Sequence, residues 1–215
     1  NYFVLITREN LYNLPYSVEE IYGLHTSGKY HDTRKVYQQI YQIYPHTGGI
    51  PIKPERIIIE DSNAGYEFFK AVSEERGILC GNAAGKSNLF AALDGIGTEE
   101  VCIVADGAAI GSEMNRLYHQ AMKNKNIHFY LPESFEWIIL NSGLVDGKEL
   151  RDILEKPEDY IDSREFLSWE RYFARLLIDK TEDSYMRYKK SRLNPFYLHE
   201  KSKEMILEGI QGIKF

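Results

Sequence analysis

Between Arg56 and Leu140 the chain alternates short apolar runs with amphipathic stretches, and this alternation limits the folds open to it more than any other feature. The runs RIIIE (56–60), ILCG (78–81), EVCIVAD (100–106) and IHFYLP (127–132) are too short for buried helices and rich in Ile, Val and Phe. Between them apolar residues recur at helical spacing: Gly65, Phe68, Phe69 and Val72, then Leu89, Phe90 and Leu93, then Met114, Leu117, Tyr118, Ala121 and Met122. The first helix is expected to be capped by Ser62 and to end before Gly77, the second to open at Ser87 and stop around Gly95 and Gly97, and the third to start near Ser112. ESFEWIIL (133–140) reads as the start of one more helix. Strand alternating with helix in this way predicts an α/β domain with a mainly parallel four-stranded sheet flanked by helices.

In such sheets chemistry gathers beyond the carboxyl ends of the strands, where the loops converge. Glu60 ends the first run, Gly81 to Ser87 follow the second, Asp106 ends the third, and Glu133 and Glu136 follow the fourth. Acidic strand ends meeting on one edge repel one another unless a cation neutralises them, and hard oxygen donors suit Mg2+ or Mn2+. The candidate metal ligands are therefore Glu60, Asp106, Glu133 and Glu136. Taken singly, an acid at a strand end is as readily a helix cap or a solvated loop residue.

CGNAAGKSNLF (80–90) ends like a nucleotide phosphate loop, with Gly85-Lys86-Ser87 opening a helix, but Cys80 stands where that motif needs its first glycine. The candidate phosphate-binding residues are Gly81, Gly85, Lys86 and Ser87. VCIVAD (101–106) passes as a Walker B strand, so a P-loop NTPase or kinase stands as one alternative. Against it, Glu60 precedes the loop and has no part in that mechanism.

The order strand-Glu60, helix, strand, Gly-Lys-Ser, helix, strand-Asp106, helix, strand resembles the TOPRIM domain, the Rossmann-like metal-binding fold of topoisomerases, primases and OLD-family nucleases. GKSN (85–88) and ESFEW (133–137) stand where OLD-like members carry a Gly-Lys turn and an acidic-aromatic stretch. The resemblance covers residues 54–142 and implies a metal-dependent nuclease acting on DNA or RNA phosphodiesters, in phage defence or DNA processing. It implies Glu60, Lys86 and Asp106 as catalytic residues, Mg2+ or Mn2+ as the ion, and Lys86 as the contact to a phosphate oxygen. Two departures stand out: Asp61 replaces the glycine that usually follows the first glutamate, and Asp106-Gly107-Ala108 replaces Asp-x-Asp, which leaves Asp61, Glu133 or Glu136 to stand in for the missing carboxylate as a metal ligand. A degenerate TOPRIM module that binds nucleic acid or a protein without catalysis is the other alternative.

The flanks add less. Residues 1–53 hold a strand, YFVLIT (2–7), followed by Arg8, LPYSVEEIYGL and a tyrosine-rich stretch, and resemble the late part of an ATPase domain that precedes the TOPRIM domain in OLD-like proteins. The start at Asn1 suggests a fragment of a longer protein, and PHTGGIPIKP (45–54) reads as a linker. Residues 143–215 read as a helical C-terminal extension, with Asp162 and Glu165 as a capping box and Phe166, Trp169, Phe173, Leu176 and Leu177 as an apolar stripe. In SYMRYKKSRLNPFY (184–197), Arg187, Lys189, Lys190 and Arg192 interleave with Tyr185, Tyr188, Phe196 and Tyr197, the pattern of a nucleic-acid contact or of a solvated face with its aromatics turned inward. A net charge of −6 confines any nucleic-acid contact to such a local patch. Neither cysteine, Cys80 or Cys102, has metal-type spacing, none of the six histidines forms a metal pair, and no apolar run is long enough for a bilayer, so a cytoplasmic protein with buried, reduced thiols is expected.

Overall fold

The computed structural model describes residues 22–24, 30–32 and 51–215, apart from 108, 109, 111, 112, 163 and 211. The expected strand at 2–7 with Arg8, the tyrosine-rich stretch, Ala108 and Ser112 lie outside the described residues. A two-stranded antiparallel ribbon, β1 (Tyr22–Leu24) and β2 (Tyr30–Asp32), precedes the main body. The main body alternates β3 (Arg56–Ile59), α1 (Ala64–Arg76), β4 (Leu79–Asn82), α2 (Leu89–Leu93), β5 (Val101–Val104), α3 (Met114–Lys123), β6 (Ile127–Tyr130) and α4 (Phe135–Asn141). The C-terminal part adds α5 (Lys148–Glu155), α6 (Trp169–Thr181) and α7 (Glu200–Glu208).

β3, β4, β5 and β6 form one all-parallel sheet in the order β4-β3-β5-β6, so the protein is an α/β fold of the expected class. Burial on both faces follows the period-two alternation of a strand. Ile57, Ile59, Cys102, Val104 and Tyr130 enter one core, whereas Ile58, Val101, Ile103, Ile127 and Phe129 enter the other. The second core is closed by Leu89, Phe90, Leu93 and Leu117 of α2 and α3. The first is larger, because Phe68 and Phe69 of α1 and Ile138 and Ile139 of α4 meet Phe173 and Leu177 of α6 and Ile206 of α7 there. Residues 143–215 are thus built into the core of the sheet. The linker is tied down as well: Ile52 bridges Ile213, and Lys214 N donates to Ile52 O at 2.8 Å.

Local chemistry corrects several boundaries. Ser62 does not cap α1; the helix starts after Asn63, while Asp61 Oδ1 accepts from Tyr66 N at 3.2 Å and so serves the first turn. β5 ends at Val104, two residues before Asp106. Asp162 and Glu165 form no capping box: Asp162 turns onto Arg164, accepting from its backbone N at 2.9 Å, and α6 is capped by Ser168 Oγ, which accepts from Arg171 N at 3.3 Å. Cys102 is buried but Cys80, on the edge strand, is only partly so. Among the described residues no helix is long and apolar enough to cross a membrane.

Candidate active site

Because β3 and β5 are parallel neighbours in register, with Ile59 opposite Val104, the residues that follow them emerge side by side. Glu60 N donates to Val104 O at 2.9 Å, which extends the pairing by one step before the chains diverge. Glu60, Asp61 and Asp106 then line one cavity with Gly65, Pro132 and Phe135. Two glycines make this closeness sterically allowed. A Cβ on Gly107 would stand 2.6 Å from Leu131 O, so only glycine lets the chain after Asp106 lie against the tip of β6; Gly107 N donates to Pro132 O there at 2.6 Å. A Cβ on Gly65 would crowd Phe135 at 3.3 Å, which lets α1 approach α4 beneath the cavity.

The glycine-lysine-serine turn serves this cleft. Ala84 (φ 54°) and Gly85 (φ 117°) fold the chain after β4 back over β3. Ala83 N donates to Ile59 O and Gly85 N to Glu60 O, both at 2.8 Å, and Ala84 N is taken by Asn82 Oδ1. The Lys86 N–H donates to the Glu60 carboxylate. The amides a phosphate loop needs are therefore used within the protein, and Gly81 lies inside β4, paired with Ile58. The Ser87 position belongs to a single 3-10 turn, Lys86–Asn88, ahead of the five-residue α2.

Glu60, Asp61 and Asp106 each hold a proton more tightly than usual. For Glu60 the main cause is desolvation by burial, then the charge of Asp61, partly offset by the Lys86 N–H and ammonium. Asp61 is pushed up by burial against the opposing pull of the Asn63 and Tyr66 amides, with Glu136 adding repulsion. Asp106 is raised furthest, well above its usual range, by desolvation and then by Glu136, Glu170 and Asp61. Glu136 is itself buried, 2 % exposed, and accepts a hydrogen bond from Tyr188 Oη at 2.8 Å. Glu133 is equally buried, and the cavity wall at that point is Pro132 and Phe135.

As Lys86 acts on Glu60, Lys190 is the lysine that acts on Asp61 and Asp106. Burial works to lower its pKa, but Glu136, Glu170 and Asp106 outweigh that and the net shift is upward. Its ammonium is hydrogen-bonded to Glu170. Its backbone O accepts from Ala64 N at 3.2 Å, which fixes the segment against the start of α1. Lys190 therefore faces the acids and does not belong to an outward basic patch with Arg187, Lys189 and Arg192. Arg187 reaches Glu182 at 3.8 Å. Of the two readings of the aromatics beside it, Tyr188 and Tyr197 follow the inward-turned one, at 1 % and 0 % exposure, whereas Tyr185, 76 % exposed, packs edge-on against Phe196.

The structure brings together Glu60, Asp61, Asp106, Glu136 and the Lys86 amide, and adds Glu170, Tyr188 and Lys190, whose places in the site no local spacing announces. Their donor chemistry fits a hard divalent cation, since only oxygen ligands are offered and excess negative charge is what such an ion relieves. The side chains do not pre-form a cage: among the described residues no group of three or more His, Cys, Asp or Glu is placed to hold a metal ion. Mg2+ does not need one, because it commonly binds through one or two carboxylates and keeps several waters. No family model, no curated protein and no solved structure matches this chain.

Proposed function

We propose that the cleft at the tips of β3 and β5 is the active site of a TOPRIM-type, metal-dependent nuclease acting on DNA or RNA phosphodiesters. One observation carries the reading: Glu60, Asp61 and Asp106 line a single cavity at the carboxyl edge of adjacent parallel strands, and all three have raised proton affinity. Carboxylates crowded in this way are costly to keep ionised and are characteristic of functional sites. Glu60 and Asp106 are the residues that would hold Mg2+ or Mn2+, with the charge of Glu136 acting on Asp106. When bound, such an ion supplies Lewis-acid polarisation and charge neutralisation for phosphoryl transfer.

The chain's own residues do the positioning. The Lys86 amide orients Glu60, Gly107 keeps Asp106 against the β6 tip, and Lys190 brings positive charge to the acidic group, suited to a phosphate oxygen. The turn at Ala84 and Gly85, with its amides bonded within the protein, supports the position of Glu60 better than it would support a nucleotide phosphate. DNA or RNA, and an ATPase domain in a longer chain, are the partners this reading implies.

A second reading, a TOPRIM-type module that binds nucleic acid without cutting it, draws on a different observation: Asp61 is engaged by the first turn of α1, and no three-acid group is preassembled among the described residues. Incubation with supercoiled plasmid and labelled single-stranded RNA, with Mg2+, Mn2+ or EDTA, separates the two. The nuclease reading expects cleavage that requires the ion and is lost in Glu60→Gln and Asp106→Asn. Ion-dependent gel retardation with no cleavage by the unaltered chain supports the binding module instead.

A further inference from the structure

We infer that Gly65 sets the size of this cleft: its missing side chain keeps open, between Asp61 and Phe135, the water-sized space that a bound cation and its water require. The inference rests on the cation-binding reading above and deepens it by naming what limits the occupant.

The backbone does not call for a glycine here. Gly65 lies in the first turn of α1 without a positive φ, a geometry that alanine prefers. Within a helix glycine is less favourable than alanine because it loses more backbone entropy, so its presence needs a steric reason. The direction of the missing side chain supplies one. A Cβ on Gly65 would meet Cβ and Cγ of Phe135 at 3.3 Å and Asp61 Oδ2 at 3.4 Å. Gly65, Phe135 and Asp61 all line the cavity that Glu60 and Asp106 line as well. A side chain at position 65 would therefore grow between two of its walls.

Both walls are held in place. Asp61 Oδ1 accepts from Tyr66 N at 3.2 Å, which keeps the carboxylate over the start of α1. Phe135 is buried against Phe68 and Phe69, with ring centroids 5.4 and 6.1 Å away. The free space of the cavity is about 20 Å³, room for a single water. A methyl group is of similar size, so alanine at position 65 would take up that room. A divalent ion held by one or two carboxylates keeps several waters, and its affinity depends on the space left for them. Filling the space is thus expected to act on the ion while every candidate ligand stays in place.

The test uses the whole 215-residue chain with Mn2+ alone as the probe, measuring affinity by calorimetry and melting temperature with and without the ion. Gly65→Ala adds one methyl and no charge. Gly209→Ala is the matched control, because a Cβ there would be crowded as closely, at 3.2 Å from Ile206 O, but at the end of α7 and away from the residues that line the cavity. Without the ion both variants are expected to melt within about 2–4 °C of the unaltered chain. Gly65→Ala is expected to bind Mn2+ about 10-fold or more weakly and to lose most of the rise in melting temperature that Mn2+ produces, whereas Gly209→Ala keeps both.

Unchanged Mn2+ affinity in Gly65→Ala, or equal loss in both glycine variants, overturns the role of Gly65 and leaves the cation-binding reading standing. An ion-free melting temperature of Gly65→Ala far below that of Gly209→Ala does the same, since it assigns the glycine to the packing of α1 on α4. Absence of Mn2+ binding by the unaltered chain overturns the cation-binding reading, and the role with it.

Discussion

The two ends of the sheet carry the same kinds of side chain and handle them in opposite ways. At the amino edge each acid has a partner: Arg56 Nε meets Glu99 at 3.1 Å, His128 Nε2 meets Glu100 at 2.6 Å, and Glu55 accepts from Glu100 N at 3.2 Å. At the carboxyl edge Asp61 and Glu170 act on Glu60, and Glu136, Glu170 and Asp61 act on Asp106, with Lys86 set against Glu60 and Lys190 against Asp61 and Asp106. The fold can evidently pair acids where pairing serves stability. Burying acids beside one another at the other end costs folding free energy, and under the proposed function a bound cation would offset it.

The contrast depends on the C-terminal segment being a fixed part of the carboxyl edge, and a core substitution puts that to the strongest test. Phe173 is fully buried on α6, in the core shared with the sheet. Phe173→Ala is expected to cost about 3–5 kcal/mol. Circular dichroism and tryptophan fluorescence should still melt together, since Trp137 lies on α4 and Trp169 on α6. Separate transitions would break the comparison, because Tyr188 and Lys190 would then be detachable from the acids.

A smaller effect, but one of opposite sign at the two edges, is expected from removing single charges without divalent cation. Asp106 binds its proton more tightly in the folded protein than its usual value of 3.8 allows in the unfolded chain, so the native state carries the extra proton. The stability this confers is present at acid pH and is lost as pH rises through the elevated folded value. Asp106→Asn should therefore stabilise the protein by about 1–3 kcal/mol near neutral pH, with the gain fading as pH falls toward about 4. Glu100→Gln, at the paired edge, should destabilise it by about 0.2–1 kcal/mol. Denaturant titrations across that pH range measure both.

The smallest expected effect is that of Arg56→Met, which removes a half-exposed ion pair with Glu99. A loss below about 1 kcal/mol, shrinking further in salt, is expected. A larger one would mean that the amino edge is also under electrostatic strain and would weaken the contrast.

How far this could be read beforehand depended on the range of each interaction. The four strands were legible because runs such as RIIIE and VCIV are apolar on both faces, and the helices because Phe68, Phe69 and Val72 or Leu89, Phe90 and Leu93 keep helical spacing. That Glu60 and Asp106 line one cavity follows from parallel strands ending at one edge. Caps were read less well, since Ser62, Asp162 and Glu165 had the right residue types but Asn63, Asp61 and Ser168 had the right backbone positions. Lys190 was legible as a basic residue beside aromatics but not as a partner of Glu170, 20 positions away, and nothing near Tyr188 announces Glu136. Those contacts exist only because α6 packs on α4, which no local pattern encodes.

Titrating Mg2+ or Mn2+ calorimetrically into the unaltered chain, Glu60→Gln, Asp106→Asn and, as the paired-edge control, Glu99→Gln tests the central claim most directly. Binding in the unaltered chain that survives Glu99→Gln and disappears in Glu60→Gln and Asp106→Asn is the predicted result. No binding by the unaltered chain, or binding that neither cleft substitution changes, would contradict it.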